Sequence, residues 1–98
     1  MTTGTSGQKR KNRKVTFSIE AAEAKEVVLT GDFNGWNPKK HPMKKTGDGV
    51  WKKTVMLPSD IYEYKFLIDG EWKEDPCNDN TCPNCFGTFN SVLSVSPP

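Results

Sequence analysis

Between Val15 and Val95 the chain alternates apolar and polar residues in short runs, broken by clusters of Gly, Pro, Asn and Asp. That pattern predicts half-buried strands joined by tight turns. Val15, Phe17 and Ile19 alternate with Thr16, Ser18 and Glu20, a first strand. Ala21 to Lys25 is too short to stand as a helix and reads as a connection to a second strand, Val27 to Leu29, which runs into Gly31. Val50 to Leu57 is a third strand, with Trp51, Val55 and Leu57 on one face interrupted by Lys53, and Trp51 reads as core.

Tyr62 to Pro76 carries the clearest signal: Tyr62, Tyr64, Phe66 and Ile68 share one face, which reads as core, Glu63, Lys65 and Leu67 the other, and Asp69-Gly70 breaks the run as a two-residue hairpin turn does. If those two residues alone make the turn, Leu67 lies opposite Trp72 and Lys65 opposite Glu74. Trp72 then stands on the outward face with Lys65 as its diagonal neighbour. The last strand spans Gly87 to Val95, where Phe89, Leu93 and Val95 share one face with Ser91, and Thr88, Asn90, Val92 and Ser94 take the other. Strands at short intervals without a convincing helix predict an all-β fold, an antiparallel β-sandwich.

Two segments stand outside the strand pattern. Asp32 to Pro38, DFNGWNP, is dense in turn formers and places Trp36 at or near a loop, either exposed or folded back on the core. Lys39 to Gly49 reads as a polar, lysine-rich loop ending in a GDG turn.

Composition sharpens this. Ninety-eight residues with 34% hydrophobic and 10% aromatic content suit one small domain with one modest core. The net charge of +2 hides an asymmetry: Lys9, Arg10, Lys11, Arg13 and Lys14 cluster ahead of every acidic residue, leaving nine basic against twelve acidic side chains elsewhere. Residues 1–14 read as a disordered basic tail and residues 15–96 as the folded domain. KRKNRK has no interleaved aromatic for base stacking, so it reads as a solvated tail and not as a nucleic-acid site. No run is long enough for a membrane span and the N-terminus lacks an apolar signal region; the expectation is a cytoplasmic protein with no membrane partner.

Cys77, Cys82 and Cys85 lie in PCNDNTCPNC, an insertion-like loop. Three thiolates with His41 or Asp79 could hold zinc, but no second paired motif accompanies them, three cysteines cannot all pair, and free thiols are the expectation; no metal or other cofactor is assigned. Asp32, Asp69, Glu71, Glu74 and Asp75 invite a glycosidase reading, since such enzymes use paired carboxylates, yet all sit in turns or at exposed strand positions. With one histidine, in a lysine-rich loop, and no phosphate-cradling glycine motif, the chain is not expected to be an enzyme.

The succession LTGDFNGWNP, GVWKKTVMLP, YEYKFLIDGEWKEDP and FGTFNSVLSV closely resembles the family 48 carbohydrate-binding modules, best known as the glycogen-binding domain of the AMP-activated protein kinase β-subunit, with related domains preceding the catalytic barrels of isoamylases and branching enzymes. The resemblance runs from about Val15 to Val95. It implies an immunoglobulin-like β-sandwich that binds α-1,4-glucans such as glycogen, maltooligosaccharides and cyclodextrin. It further implies that Trp36 and Trp72 stack on glucose rings, that Lys65 hydrogen-bonds hydroxyls, and that Phe86, Thr88 and Asn90 complete the site. Phe86 stands where the kinase subunit carries an aliphatic residue. The hairpin parity and the resemblance agree on Trp72 and Lys65, and a pyranose, with its C–H faces ringed by hydroxyls, needs such aromatic platforms with polar groups at the edge. The other reading of the same sequence is a protein-interaction domain of this fold that docks a glycogen-metabolising enzyme or kinase.

Overall fold

A computed structural model describes residues 12–96. Nine strands occur among them: β1 (Asn12–Glu20), β2 (Val27–Gly31), β3 (His41–Pro42), β4 (Lys44–Lys45), β5 (Val50–Pro58), β6 (Asp60–Ile68), β7 (Glu71–Lys73), β8 (Thr81–Pro83) and β9 (Phe89–Val95), with one 3₁₀ turn at Asp32–Asn34. All pairings are antiparallel. One sheet runs β1-β5-β4; the other runs β3-β2-β6-β9-β8, and β7 also pairs with β6. The fold is the antiparallel β-sandwich that the strand pattern predicts.

The core lies between the sheets. Phe17, Ile19, Trp51 and Leu57 come from β1 and β5, and Val27, Leu29, Tyr62, Tyr64, Phe66 and Val95 from β2, β6 and β9, each from the alternating face expected of it. Trp51 is buried, and its Nε1 donates to the Ala21 carbonyl at 2.9 Å, which satisfies the one polar atom of the ring and pins the connection after β1. Phe33 joins the cluster from the 3₁₀ turn, with ring centroids 5.6 Å from Phe17 and 6.0 Å from Tyr62.

Four features differ from expectation. Asn12, Arg13 and Lys14, placed by composition in the tail, begin β1 and pair with Pro58, Leu57 and Met56; the backbone of β5 offers a partner to any residue, whatever the polarity of its side chain. The rest of the tail lies outside the described residues. The lysine-rich loop contains β3 and β4, and between them Met43 is buried with its N–H bonded to the Val27 carbonyl at 2.8 Å. The cysteine segment contains β8, which pairs with the start of β9.

Finally, Phe89 is 46% exposed although it shares a strand face with the buried Ser91 and Val95. Pairing of β9 with β6 ends at Ser91–Tyr64, so Phe89 projects past β6 and keeps only β8 beside it.

Candidate functional site

The site is built where one edge of β6 is divided between two partners. β9 pairs with β6 as far as Tyr64, β7 takes over from Phe66 to Ile68, and Lys65 falls between the two ladders. The hairpin that brings β7 back has the predicted two-residue turn: Ile68 opposes Glu71, Leu67 opposes Trp72, and Asp69 and Gly70 both take positive φ, 48° and 86°, the type I′ geometry. The Asp69 carboxylate accepts from the N–H groups of Lys25 and Glu26 at 2.8–3.2 Å and ties the turn to the start of β2. Pairing stops at Lys73, so Glu74 does not oppose Lys65 as the parity argument expects. The chain leaves the ladder there because Asp75 is claimed elsewhere: its N–H donates to Ser91 Oγ, and its carboxylate accepts from Tyr64 Oη at 2.7 Å and from the Cys77 N–H. Burial holds the Tyr64 hydroxyl well above the usual phenol range, opposed by the Asn78 amide and reinforced by Asp75, so it stays a donor.

Trp36 reaches the same edge from the loop after β2. Gly35 and Trp36 both adopt the left-handed conformation, φ 66° and 58°, which is costly for a tryptophan. Three contacts hold it: its N–H donates to the Gly31 carbonyl at 2.9 Å, its Nε1 donates to Asp32 Oδ1 at 3.0 Å, and Asp32 Oδ2 accepts from the Glu63 N–H at 2.8 Å. Gly31 permits the close approach, since a Cβ there would lie 2.6 Å from the Glu63 carbonyl oxygen and 2.9 Å from Tyr64 Cβ. The indoles of Trp36 and Trp72 stand 6.3 Å apart between ring centroids, inclined at 59°, with Trp72 half exposed. Trp36 is therefore part of the surface beside Trp72, held there in a backbone conformation costly for any residue but glycine.

The opposite wall comes from the loop into β9. Lys65 is buried along its stem, 7% exposed, and its Nζ donates to Thr88 Oγ1 at 3.2 Å. Asn84 Nδ2 donates to Thr88 Oγ1 at 2.8 Å and to Asn90 Oδ1 at 3.0 Å, while its Oδ1 accepts from the Phe86 and Thr88 N–H groups. Asn90 Nδ2 donates in turn to Glu63 Oε1 at 2.9 Å. The loop so braced lifts Phe86 into solvent, 85% exposed.

Together these residues line one groove of about 720 Å³, which holds Trp36, Lys65, Trp72, Phe86, Thr88 and Asn90, all six positions singled out in the sequence. It also holds Glu63 and Asn84, which were not singled out, and Cys85, which the sequence offered only as a thiol. For Asn84 a signal existed: an asparagine two residues before Phe86-Gly87 is a loop former through its side-chain carbonyl. Glu63 carried none, because its role depends on pairing with distant strands.

A metal site is not assembled from the cysteines. All three are free thiols, and among the described residues no group of three or more His, Cys, Asp or Glu side chains converges as ligands would. His41 instead packs beside Phe33 and lies 2.7 Å from Asn34 Nδ2 through its Nδ1. Burial, with Lys53 and Lys40 nearby, lowers its pKa, so the neutral ring accepts that bond.

Residues 14–98 match the family whose description is the glycogen recognition site of AMP-activated protein kinase. The chain is 47% identical over 73 residues to Protein PTST homolog 2, chloroplastic, of Arabidopsis thaliana, an alignment that covers 74% of this chain and 13% of that one. It is 35% identical over 71 residues to the beta-1 subunit of 5'-AMP-activated protein kinase of Sus scrofa, covering 72% of this chain and 55% of the subunit. The crystal structure of maltogenic amylase from S. marinus superposes with a TM-score of 0.76 at 25% identity, over 91% of this chain and 14% of the amylase. This chain therefore spans only part of the length of each.

Proposed function

The chain belongs to the carbohydrate-binding module family of the glycogen recognition site of AMP-activated protein kinase, and on that premise we propose that it binds α-1,4-glucans, without catalysis, in the groove at the divided edge of β6. The observation that carries this reading is the pair of indoles at 6.3 Å and 59° facing a wall of hydrogen-bonding groups. Inclined platforms suit successive rings of a curved chain, and the Lys65 ammonium, the Thr88 hydroxyl and the Asn90 amide suit the hydroxyls at the ring edges. Phe86, standing free of the wall, would meet the apolar inner surface of the glucan curve. A shallow groove with few polar contacts binds weakly, roughly micromolar to millimolar.

The carboxylates support a binding role. Asp32 holds the Trp36 ring and the Glu63 backbone, Asp69 closes the hairpin, and Asp75 holds Tyr64 and Cys77, so three of the five candidates for acid–base work are committed to structure. From the likeness to the kinase subunit and to the amylase, a kinase or a glycogen-metabolising enzyme is the protein partner we infer.

The test is a calorimetric or NMR titration with β-cyclodextrin and maltoheptaose, repeated for Trp36→Ala and Trp72→Ala. Saturable binding that either substitution abolishes in a folded protein is expected. A folded wild type that ignores both sugars at millimolar concentration would overturn the glucan reading and turn attention to protein partners.

A further inference from the structure

We propose that Cys82 and Cys85 form a dithiol site, oxidised by a low-molecular-weight disulfide, whose closure into a Cys82–Cys85 bond dismantles the groove wall. The two thiols bracket Pro83 and Asn84, and Asn84 is the residue whose amide ties Thr88 to Asn90. Cys85 is exposed on the groove wall, and Cys82 is half-buried in β8 opposite Asn90.

The segment has two competing geometries. In this structure Cys82 and Pro83 are extended, paired with Asn90 and Phe89, and the Asn84 N–H donates to the Thr88 carbonyl at 2.9 Å. Extended chain advances about 3.3 Å per residue, up to about 10 Å over three steps. A disulfide needs its Cα atoms roughly 4.4–6.8 Å apart, which a turn provides. The sequence Cys82-Pro83-Asn84-Cys85 is already written as such a turn: proline at the second position fixes the φ that type I and type II turns need there, and asparagine suits the third. Cys82 and Pro83 are held extended by the β8–β9 ladder and Asn84 is held by its bonds to Thr88 and Asn90, while Cys85 enters the following turn, which the Gly87 N–H closes on the Asn84 carbonyl. Closing the disulfide takes Pro83 out of the ladder and Asn84 away from Thr88 and Asn90.

The chemistry balances. The Cys85 thiolate, the exposed one, attacks a sulfur of the small disulfide, forms a mixed disulfide and releases one thiol. Cys82 then gives up its proton, displaces the second thiol and forms the intramolecular bond. Two electrons and two hydrogens leave the protein on the two released thiols. Cys82 is the slower partner, because its hydrogen bond to Glu63, burial and the nearby Glu63 and Asp32 charges push its thiol up.

The predicted loss of sugar affinity rests on the glucan reading above; the disulfide and the loop change do not. The experiment uses the full chain carrying Cys77→Ser, incubated with glutathione disulfide and then with dithiothreitol. Peptide mapping should find a Cys82–Cys85 bond, titratable thiols should fall from two to none, the Thr88 and Asn90 amide resonances should move, and β-cyclodextrin affinity should fall about tenfold and return on reduction. A mapped disulfide with unmoved Thr88 and Asn90 resonances overturns the proposal, as does a mixed disulfide at Cys85 as the only product. Equal loss of affinity in Cys82→Ser under the same treatment also overturns it, because a cap on Cys85 would then suffice. If the reduced protein ignores β-cyclodextrin, the glucan reading fails, and the mapping and the two resonances alone decide the dithiol site.

Discussion

Lys65 Nζ and Thr88 Oγ1 meet at 3.2 Å across the point where β7 and β9 divide one edge of β6. The contact joins the arm of the sheet that carries Trp72 to the loop that carries Phe86. A lysine suits the place because its stem packs in the fold while its ammonium stays at the groove.

Lys65→Met should therefore separate binding from folding. Methionine keeps an unbranched stem of similar length, and Thr88 Oγ1 retains its bond from Asn84. Urea denaturation should show stability within about 1 kcal/mol of wild type. β-Cyclodextrin affinity should fall about tenfold, the scale of a lost hydrogen bond to a charged donor. Unchanged affinity would remove Lys65 from the site.

The left-handed backbone at Trp36 gives a second test. Trp36→Ala and Trp36→Gly both delete the indole, but only glycine adopts φ 58° without a Cβ penalty. The glycine variant should be more stable than the alanine variant by about 1 kcal/mol in thermal or urea unfolding, with binding lost in both. Equal stabilities would mean that the loop relaxes out of this conformation once the ring is gone.

Structure that depends on neighbours along the chain was legible in the sequence. Alternation assigned Tyr62, Tyr64 and Phe66 to the core, and Asp69-Gly70 set the Leu67–Trp72 register, because pleat parity and turn chemistry are local. Structure that a distant strand decides was not legible. The polar run Asn12–Lys14 became strand because β5 supplied its partners, and Phe89 lost its core place because β9 had already parted from β6. Glu63 was hidden for the same reason, since its links to Asp32 and Asn90 cross the sheet.

His41 ties stability to pH. Its folded pKa is lowered, so between the folded value and the usual value of about 6.5 the unfolded chain binds more protons. The contribution is complete above about pH 6.5 and is lost as pH falls through the folded value. Protonation makes Nδ1 a donor facing the Asn34 amide, whose carbonyl is already bound to the Gly31 N–H. Melting temperature should drop as pH is lowered below about 6.5, and His41→Gln should flatten that part of the profile. An unchanged slope in the variant would assign the pH dependence to other groups.

Asn84 allows its two roles in the groove wall to be taken apart. Its carbonyl oxygen accepts from Phe86 and Thr88 and shapes the loop; its amide nitrogen donates to Thr88 Oγ1 and Asn90 Oδ1 and ties the loop to β9. Asn84→Asp keeps the acceptors and removes the donor, setting a carboxylate oxygen against Asn90 Oδ1, while the Thr88 hydroxyl can turn to donate to it. Asn84→Ala removes both. The aspartate variant should retain the loop, read as near-wild-type amide shifts for Phe86 and Gly87, yet bind β-cyclodextrin several-fold more weakly because Asn90 loses its brace. The alanine variant should lose those shifts as well, and about 1 kcal/mol or more of stability with them. If the aspartate variant binds as well as wild type, the loop shape alone positions Asn90, and the amide bridge to it does not matter for the site.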